Sequence, residues 1–172
     1  WRTRVGRGGN QGGVHFSIAA IGRTVYVPVN DMMLASDGTT EKDPGHPGLF
    51  ALDAATGNFV WKAPAPNLCA AGDTGCHSGI SAAITAMPGV VFAGHLDGRL
   101  RAYDAKTGKV LWETDTRVPV PAVNGHGMMA KGGSMSGPGP VLADGMLITN
   151  SGYGYAWHIP GNALLVYTVD GK

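Results

Sequence analysis

Short apolar runs separated by polar turns recur along the whole chain. Apolar runs bounded by Gly, Pro, Asn and Asp are typical of β-strands. The alternation therefore predicts a protein built from short strands, four in each of two units and three in a last one. The predicted strands lie at 14–21, 23–29, 49–52 and 59–61, then at 80–86, 90–93, 100–103 and 109–112, and finally at 139–142, 146–150 and 164–169.

One stretch occurs twice in nearly the same form. Ala51-Leu-Asp-Ala-Ala-Thr-Gly-Asn-Phe-Val-Trp61 returns 51 residues later as Ala102-Tyr-Asp-Ala-Lys-Thr-Gly-Lys-Val-Leu-Trp112. The aspartate can cap a tight turn and the glycine can take a positive φ, so each copy predicts an antiparallel hairpin. A tryptophan at a fixed offset after the turn indicates a ring packed between neighbouring units.

Four-stranded antiparallel units in sequence predict the all-β architecture of a β-propeller. We place the blades at about 14–62, 78–113 and 134–172, with the last one incomplete. The chain begins at Trp1, where a previous unit would end, and its last residues resemble a shortened copy of the repeat. We therefore expect a partial propeller domain over residues 1–172, because closure of such a fold takes about four to eight blades.

Composition narrows the classes of partner. The net charge is +1, which provides no basic field for nucleic acid, and no apolar run approaches the length of a membrane span. Cys69 and Cys76 enclose a short Gly-containing loop, which favours a disulfide and an oxidising compartment, although two reduced cysteines remain an alternative. Their spacing does not fit covalent haem attachment, and a zinc site with His77 lacks a fourth ligand.

Strand parity divides the connections between two faces. The connections on one face are short turns, such as 53–57 and 104–108. The connections on the other face, which we call the elaborated face, hold the unusual chemistry: 30–47, 64–79, 95–99, 114–138 and 151–162. Binding residues concentrate on loops that a rigid scaffold positions, so we expect a site on the elaborated face near the central axis.

Three polar residues on this face are candidates for metal binding and proton transfer. Asn30 and Asp31 end a strand and offer an amide oxygen and a carboxylate, which are ligands that Ca²⁺ prefers. Asp43 could act as a general base if it were shielded from water. The alternative for all three is that they are solvated residues of a loop.

The segments that lead into the innermost strands are candidates for cofactor contacts. Glycines in the run Lys131-Gly132-Gly133-Ser134 allow close approach of the backbone, and Lys131, Ser134 and Ser136 offer donors. The equivalent segments of the other blades hold His15, Phe16 and Ser17, and then His77, Ser78 and Ser81. A crowded structural loop, with histidines that are only hydrogen-bonded, is the competing interpretation.

The doubled repeat resembles the tryptophan-docking motif of pyrroloquinoline quinone (PQQ) propellers, the quinoprotein alcohol dehydrogenases and their relatives. The chain is most similar to the polyvinyl alcohol dehydrogenase branch. The motifs that carry this similarity are Val5-Gly-Arg-Gly-Gly, the cysteine-bounded loop before Ser81-Ala-Ala, Pro88-Gly-Val-Val-Phe-Ala-Gly, Gly132-Gly-Ser-Met-Ser-Gly-Pro-Gly-Pro, Asn150-Ser-Gly-Tyr-Gly and Pro160-Gly-Asn-Ala-Leu-Leu.

The resemblance implies an eight-bladed periplasmic or secreted enzyme that oxidises secondary alcohols, with PQQ at the axis, Ca²⁺ beside it and a cytochrome c as electron acceptor. It implies that Asn30 is a metal ligand and that Asp43 stands near the family's catalytic aspartate, although the local sequence differs. His15 and Phe16 stand where an acidic residue and a tryptophan are expected. The adjacent-cysteine disulfide of many relatives is absent. A cofactor-free propeller that binds other proteins is the alternative.

Overall fold

The computed structural model describes residues 1–33, 42–43, 45–125, 127–155 and 157–170, and within these ranges it contains strands and no helix. The first sheet comprises β1 (Ala19–Ile21), β2 (Thr24–Val29), β3 (Gly48–Asp53) and β4 (Phe59–Pro64). The second comprises β5 (Thr85–Met87), β6 (Val90–Gly94), β7 (Arg99–Asp104) and β8 (Val110–Asp115). A small ribbon, β9 (Val120–Pro121) and β10 (Met129–Ala130), precedes the third sheet of β11 (Val141–Ala143), β12 (Met146–Ser151) and β13 (Ala163–Tyr167).

Each sheet is a meander in which successive strands pair antiparallel in chain order. Tyr26 lies opposite Ala51 between β2 and β3, and Phe92 lies opposite Ala102 between β6 and β7. The two four-stranded sheets confirm the predicted fold class, an all-β chain made of propeller blades. The described residues contain no helix long and apolar enough to cross a membrane.

The repeated hairpin is stabilised by the aspartate cap and the positive-φ glycine that its sequence predicts. In the first copy, Asp53 Oδ1 accepts hydrogen bonds from the backbone N–H groups of Ala55 and Thr56, both at 2.9 Å. Gly57 closes the turn with a φ of 73°. The second copy repeats this turn with Asp104, Thr107 and Gly108.

Tryptophans connect neighbouring sheets through these same turns. The indole N–H of Trp1 donates to the carbonyl of Ala54 at 2.9 Å, and that of Trp61 donates to Ala105 at 3.1 Å. The ring of Trp61 packs so closely on Gly108 that a Cβ there would lie 2.5 Å from the ring. The ring of Trp61 therefore fixes the first sheet to the turn of the second, and Trp1 fixes the first residues of the chain to the turn of the first sheet.

The core lies between the sheets. Between the first and second sheets, the side chains of Tyr26, Leu49, Ile80, Val91 and Tyr103 are buried together. Between the second and third, Leu100, Met135 and Leu147 form a second cluster. Apolar burial of this kind holds the blades face to face and fixes the positions of their loops.

The structure differs from the predicted strands in two places. The innermost strands are shorter than predicted: β1 covers only 19–21 of 14–21, and β5 begins at Thr85 rather than at residue 80. The preceding residues instead bond across to neighbouring sheets, as the Ala83 N–H does to the Gly137 carbonyl. The ribbon of β9 and β10 was predicted as loop, because two-residue strands give no periodicity to detect.

Candidate functional site

The long connections of the three sheets interlock on the elaborated face. The Ile80 N–H donates to the Val29 carbonyl, the Leu96 N–H to Gly79, and the Met135 N–H to His95. The first of these bonds runs from the second sheet's entry segment to the first sheet, the second joins two connections of the second sheet, and the last runs from the third sheet's entry segment to the second sheet. The loops therefore form one continuous surface whose side chains hold fixed positions relative to one another.

Asn30 lies at the end of β2 and is completely buried. Its amide nitrogen donates to the Gln11 carbonyl at 3.1 Å, but Oδ1 has no hydrogen-bond partner among the described residues. Gly79 passes so close that a Cβ on it would lie 2.4 Å from that oxygen. A buried carbonyl oxygen without a partner is costly, and it is an oxygen that a hard cation can use.

The carboxylate of Asp31 is occupied by backbone donors. Its Oδ1 accepts from the N–H groups of Arg7 at 3.0 Å and Gly13 at 2.6 Å, and its Oδ2 accepts from His46 at 2.8 Å. Asp31 itself has a φ of 37°. The residue therefore organises the loop around Asn30, and its role as a metal ligand stays a prediction.

Asp43 is exposed. Its Oδ1 accepts a hydrogen bond from the Gly45 N–H at 2.9 Å, and its carbonyl accepts one from the Arg7 guanidinium. The adjacent residues 34–41 and 44 lie outside the described ranges. None of the described residues shields Asp43 as a general base needs, so its catalytic role also stays a prediction.

A chain of polar side chains links the three innermost segments. His15 Nδ1 lies 3.0 Å from Ser81 Oγ, which lies 3.3 Å from Ser136 Oγ. His15 Nε2 is buried and has no partner among the described residues. Burial lowers the pKa of His15, while the nearby Asp31 carboxylate acts in the opposite direction. One residue from each sheet thus contributes to a single network.

An aromatic cleft of about 350 Å³ opens beside Ser136. We call it the aromatic cleft; its lining residues are Phe16, Ser136, Gly137, Pro138, Tyr153, Gly154 and Tyr155. The rings of Phe16 and Tyr153 are 52% and 58% exposed, so they are available for contact. Exposed rings around a cleft suit a planar ligand, which stacks against them. Ser17, next to Phe16, is also exposed.

Gly132, Gly133 and Ser134 are buried and bonded within the protein. Ser134 Oγ donates to the Leu96 carbonyl at 2.5 Å and accepts from the Ile159 N–H at 2.9 Å. A Cβ on Gly133 would lie 2.2 Å from the Ile159 carbonyl oxygen, which explains the need for glycine. In this structure these residues tie loops together, and their contact with a cofactor stays a prediction.

Lys131 precedes this buried run and is exposed. Its backbone N–H donates to Asn162 Oδ1 at 2.9 Å, and this bond holds the backbone of Lys131 in place. Its ammonium group forms no ion pair with any residue that the structure describes. Lys131 therefore differs from its neighbours in having a charged group available on the surface.

Tyr153 and Tyr155 are not among the predicted contact residues, although Tyr153 belongs to the motif Asn150-Ser-Gly-Tyr-Gly. Both lie on the connection between β12 and β13, in the segment Ser-Gly-Tyr-Gly-Tyr. Large aromatic side chains among glycines in a loop of the elaborated face are a signal for ligand contact, because such rings are rarely needed in a turn. That Tyr153 and Phe16 line the same cleft depends on tertiary structure.

The disulfide between Cys69 and Cys76 is present. It closes the loop that carries Asp73, whose carboxylate lies 3.8 Å from the Arg117 guanidinium. The described residues contain no cluster of three or more His, Cys, Asp or Glu side chains that could hold a metal ion. A metal on this face would therefore need amide or carbonyl ligands such as Asn30.

Comparison with known proteins gives matches to one family model and to several relatives, two of which cover the whole chain. The family model described as outer membrane protein assembly factor BamB, of the PQQ_2 type, matches residues 45–163. A polyvinylalcohol dehydrogenase from Pseudomonas sp. is 42% identical over all of this chain and 27% of its own length. A polyvinylalcohol dehydrogenase from Sphingopyxis sp. (strain 113P3) is 37% identical over the same shares of both chains.

Among solved structures, a quinohemoprotein alcohol dehydrogenase from Pseudomonas putida HK5 matches 83% of this chain and 17% of its own, with a TM-score of 0.55 and 25% identity. The chain thus spans about a quarter of the length of the curated relatives it matches over its full extent.

Proposed function

Because the chain belongs to the family of PQQ-type propellers, with the quinoprotein alcohol dehydrogenases among its relatives, we propose that it is part of a PQQ-dependent dehydrogenase that oxidises alcohols. The names of two relatives indicate polyvinyl alcohol as their substrate. We propose the same class for this protein, namely secondary alcohols and polymers that carry such hydroxyl groups.

The aromatic cleft is the observation that carries this proposal. PQQ is a planar quinone with carboxylate groups. The exposed rings of Phe16, Tyr153 and Tyr155 fit such a plane by stacking, and the Ser136 hydroxyl can donate to an oxygen at its edge. Ser17 is a further candidate as a donor. Lys131 is the predicted cation for a carboxylate, but in this structure it lines a separate cleft. Ser81 would act through Ser136, to which it is already hydrogen-bonded.

The unpartnered oxygen of Asn30 supports the proposal of a calcium ion at this position. The buried Oδ1 supplies one oxygen ligand that nothing else in the described protein uses. Asp31 would contribute through its ordering of the surrounding backbone, or directly if its N–H donors were displaced. Calcium takes six to eight oxygen ligands, so the remaining ones would come from the cofactor, from water and from the rest of the protein.

Bound PQQ would supply the two-electron oxidation by which the alcohol loses a hydride from carbon and becomes a carbonyl compound. The protein's own contribution is to orient the substrate and to take the hydroxyl proton. We assign that proton to the Asp43 carboxylate, which would need to be covered by substrate or by neighbouring chain to act efficiently. The His15, Ser81 and Ser136 network holds the cleft wall in place.

Electron acceptor and compartment follow from the same proposal. The name of the Pseudomonas putida relative pairs a quinone with a haem, which supports a cytochrome c as acceptor. The disulfide supports an oxidising compartment, hence a periplasmic or secreted protein.

A second candidate is a cofactor-free propeller that binds other proteins. The description of the matching family model as an assembly factor favours it. It predicts no affinity for PQQ and no effect of Ca²⁺, so one experiment separates the two functions.

That experiment is a PQQ titration of the full-length protein with and without Ca²⁺, followed by dye reduction with a secondary alcohol. We expect calcium-dependent binding and turnover. Asn30→Ala should raise the Ca²⁺ concentration for half-maximal binding about tenfold, because it removes a ligand. Asn58→Ala, in an exposed turn on the opposite face, is the matched control. If the folded protein does not bind PQQ, the dehydrogenase proposal is wrong and the protein-binding propeller is the remaining candidate.

Asp43→Asn tests the proposed base. It should lower turnover about 10²-fold or more while PQQ binding is unchanged, because an amide cannot accept the hydroxyl proton. Stopped-flow measurement of cofactor reduction reports this step directly. Unchanged reduction in the variant would remove Asp43 from the mechanism.

A further inference from the structure

A second cleft, of about 460 Å³, lies on the elaborated face between the second and third sheets. We call it the polar cleft. Three connections of the elaborated face contribute to it, 64–79 with the disulfide-closed loop, 114–138 and 151–162. Its lining residues are Asp73, Thr74, Asp115, Arg117, Val118, Pro119, Lys131 and Ile159.

One side of the polar cleft is a rigid set of charged groups. Arg117 binds Asp115 with two hydrogen bonds, Nε to Oδ1 at 2.9 Å and Nη2 to Oδ2 at 2.8 Å. Arg99 adds a contact to Asp115 at 3.5 Å, and Asp73 lies 3.8 Å from Arg117. Hydrogen bonding from Arg117 lowers the pKa of Asp115, so the carboxylate stays ionised in mild acid. These groups present donors and acceptors in fixed directions.

The other side is apolar and flanked by residues with available polar groups. Val118 is 60% exposed, and Pro119 and Ile159 continue this wall. Thr74 and Lys131 are exposed at the margins and offer a hydroxyl and an ammonium group.

This combination selects the chemistry of the ligand. The lining holds two carboxylates, Asp73 and Asp115, and two cations, Arg117 and Lys131, so no net positive charge favours a phosphate or another anion. A pure hydrocarbon would leave these charged groups desolvated without partners. A carbon chain that carries hydroxyl groups matches both sides. Its hydroxyls can donate to carboxylates and accept from Arg, Lys and Thr, while its carbon atoms contact the apolar wall.

The polar cleft is connected to the aromatic cleft through one loop. The connection between β12 and β13 gives Tyr155 to the aromatic cleft and Ile159 to the polar cleft. Ser134 fixes this loop through the Ile159 N–H and carbonyl, at 2.9 Å each. A long ligand could therefore contact both clefts at once.

We propose that the polar cleft binds a second stretch of a polyhydroxylated chain, such as polyvinyl alcohol, while another hydroxyl of the same chain lies at the proposed oxidation site. The cleft then gives the protein a preference for polymeric over short alcohols. This preference rests on the proposed function, but the binding of a polyol does not.

Binding is therefore tested first, on the full-length protein without PQQ, by calorimetry with low-molecular-mass polyvinyl alcohol. Val118→Asp places a charge on the apolar wall and should weaken binding about tenfold. Thr74→Val removes one hydroxyl with little change in shape and should weaken it about fivefold. Val123→Asp, at a fully exposed valine of the same connection outside the cleft, is the matched control and should bind like the wild type.

The kinetic test compares kcat/KM for the polymer with that for a short secondary alcohol. Val118→Asp and Thr74→Val should lower the polymer value by the same factors as binding and leave the short-alcohol value unchanged. Wild-type binding in both variants, or equal losses for both substrates, would overturn the proposal. If the polyol binds through this cleft but PQQ does not bind at all, the inference stands and the dehydrogenase function fails.

Discussion

His95 is a side chain whose burial does not follow from its position in the sequence. It lies in a short connection, yet it is completely buried. Its Nδ1–H donates to the Ser78 carbonyl at 3.1 Å, and its Nε2 accepts from the Tyr103 hydroxyl at 2.9 Å. Burial, reinforced by the charge of Arg101, lowers the pKa of His95 to about 3.

This shift predicts a loss of stability in mild acid. The unfolded state binds a proton near pH 6.5 and the folded state does not, so the stability is present above pH 6.5 and is lost as the pH falls toward 3. Between pH 7 and 5 the loss amounts to about 2 kcal/mol. His95→Gln should remove this part of the pH dependence in denaturant titrations of the cofactor-free protein.

His46→Gln, at an exposed histidine, serves as the control and should keep the wild-type pH dependence. If His95→Gln loses as much stability between pH 7 and 5 as the wild type does, His95 is not the group that titrates. Lower stability of the variant at both pH values would not affect this test, because the test compares differences.

The role of a residue could be predicted from the sequence only where its hydrogen-bond partners lie nearby in the chain. Asn30 could be singled out from its position at a strand end. The role of Asp31 could not be predicted, because its donors are backbone N–H groups of residues 7, 13 and 46, which meet only in the folded protein. The burial of Ser134 and the linkage of His15 with Ser81 depend in the same way on neighbouring sheets.

At the scale of elements, the repeated hairpin was predictable because its interactions are local. The aspartate cap and the positive φ of the glycine both occur as predicted. The inner strands were predicted too long, since residues 14–18 and 80–84 have strand-like composition but bond to other sheets. An apolar run does not reveal whether its partner is a strand or a loop.

The contact between tryptophan and turn can be tested with two glycines. Gly108→Ala would place a Cβ 2.5 Å from the Trp61 ring, whereas Gly89→Ala meets nothing within 4 Å. Both glycines have a positive φ, 71° and 90°, so both alanine variants carry a similar backbone strain. Thermal and denaturant unfolding should show Gly108→Ala to be less stable than Gly89→Ala by about 2 kcal/mol. Equal losses would mean that the ring does not hold the sheets together.

At the scale of the whole molecule, the sequence predicted the propeller architecture and the face that carries the loops. It did not predict the aromatic cleft, because Phe16 and Tyr153 are far apart in the chain and belong to different sheets. The apolar clusters between successive sheets bring these two residues to one side. The architecture thus follows from a local repeat, and the candidate site follows from how the sheets pack.

The most direct test of the central claim is a crystal structure of the full-length protein with PQQ and Ca²⁺. We predict that the quinone plane lies against Phe16, Tyr153 and Tyr155 and that the ion lies within coordination distance of Asn30 Oδ1. Density for PQQ at another site, with the aromatic cleft filled by the protein's own side chains, would contradict the account.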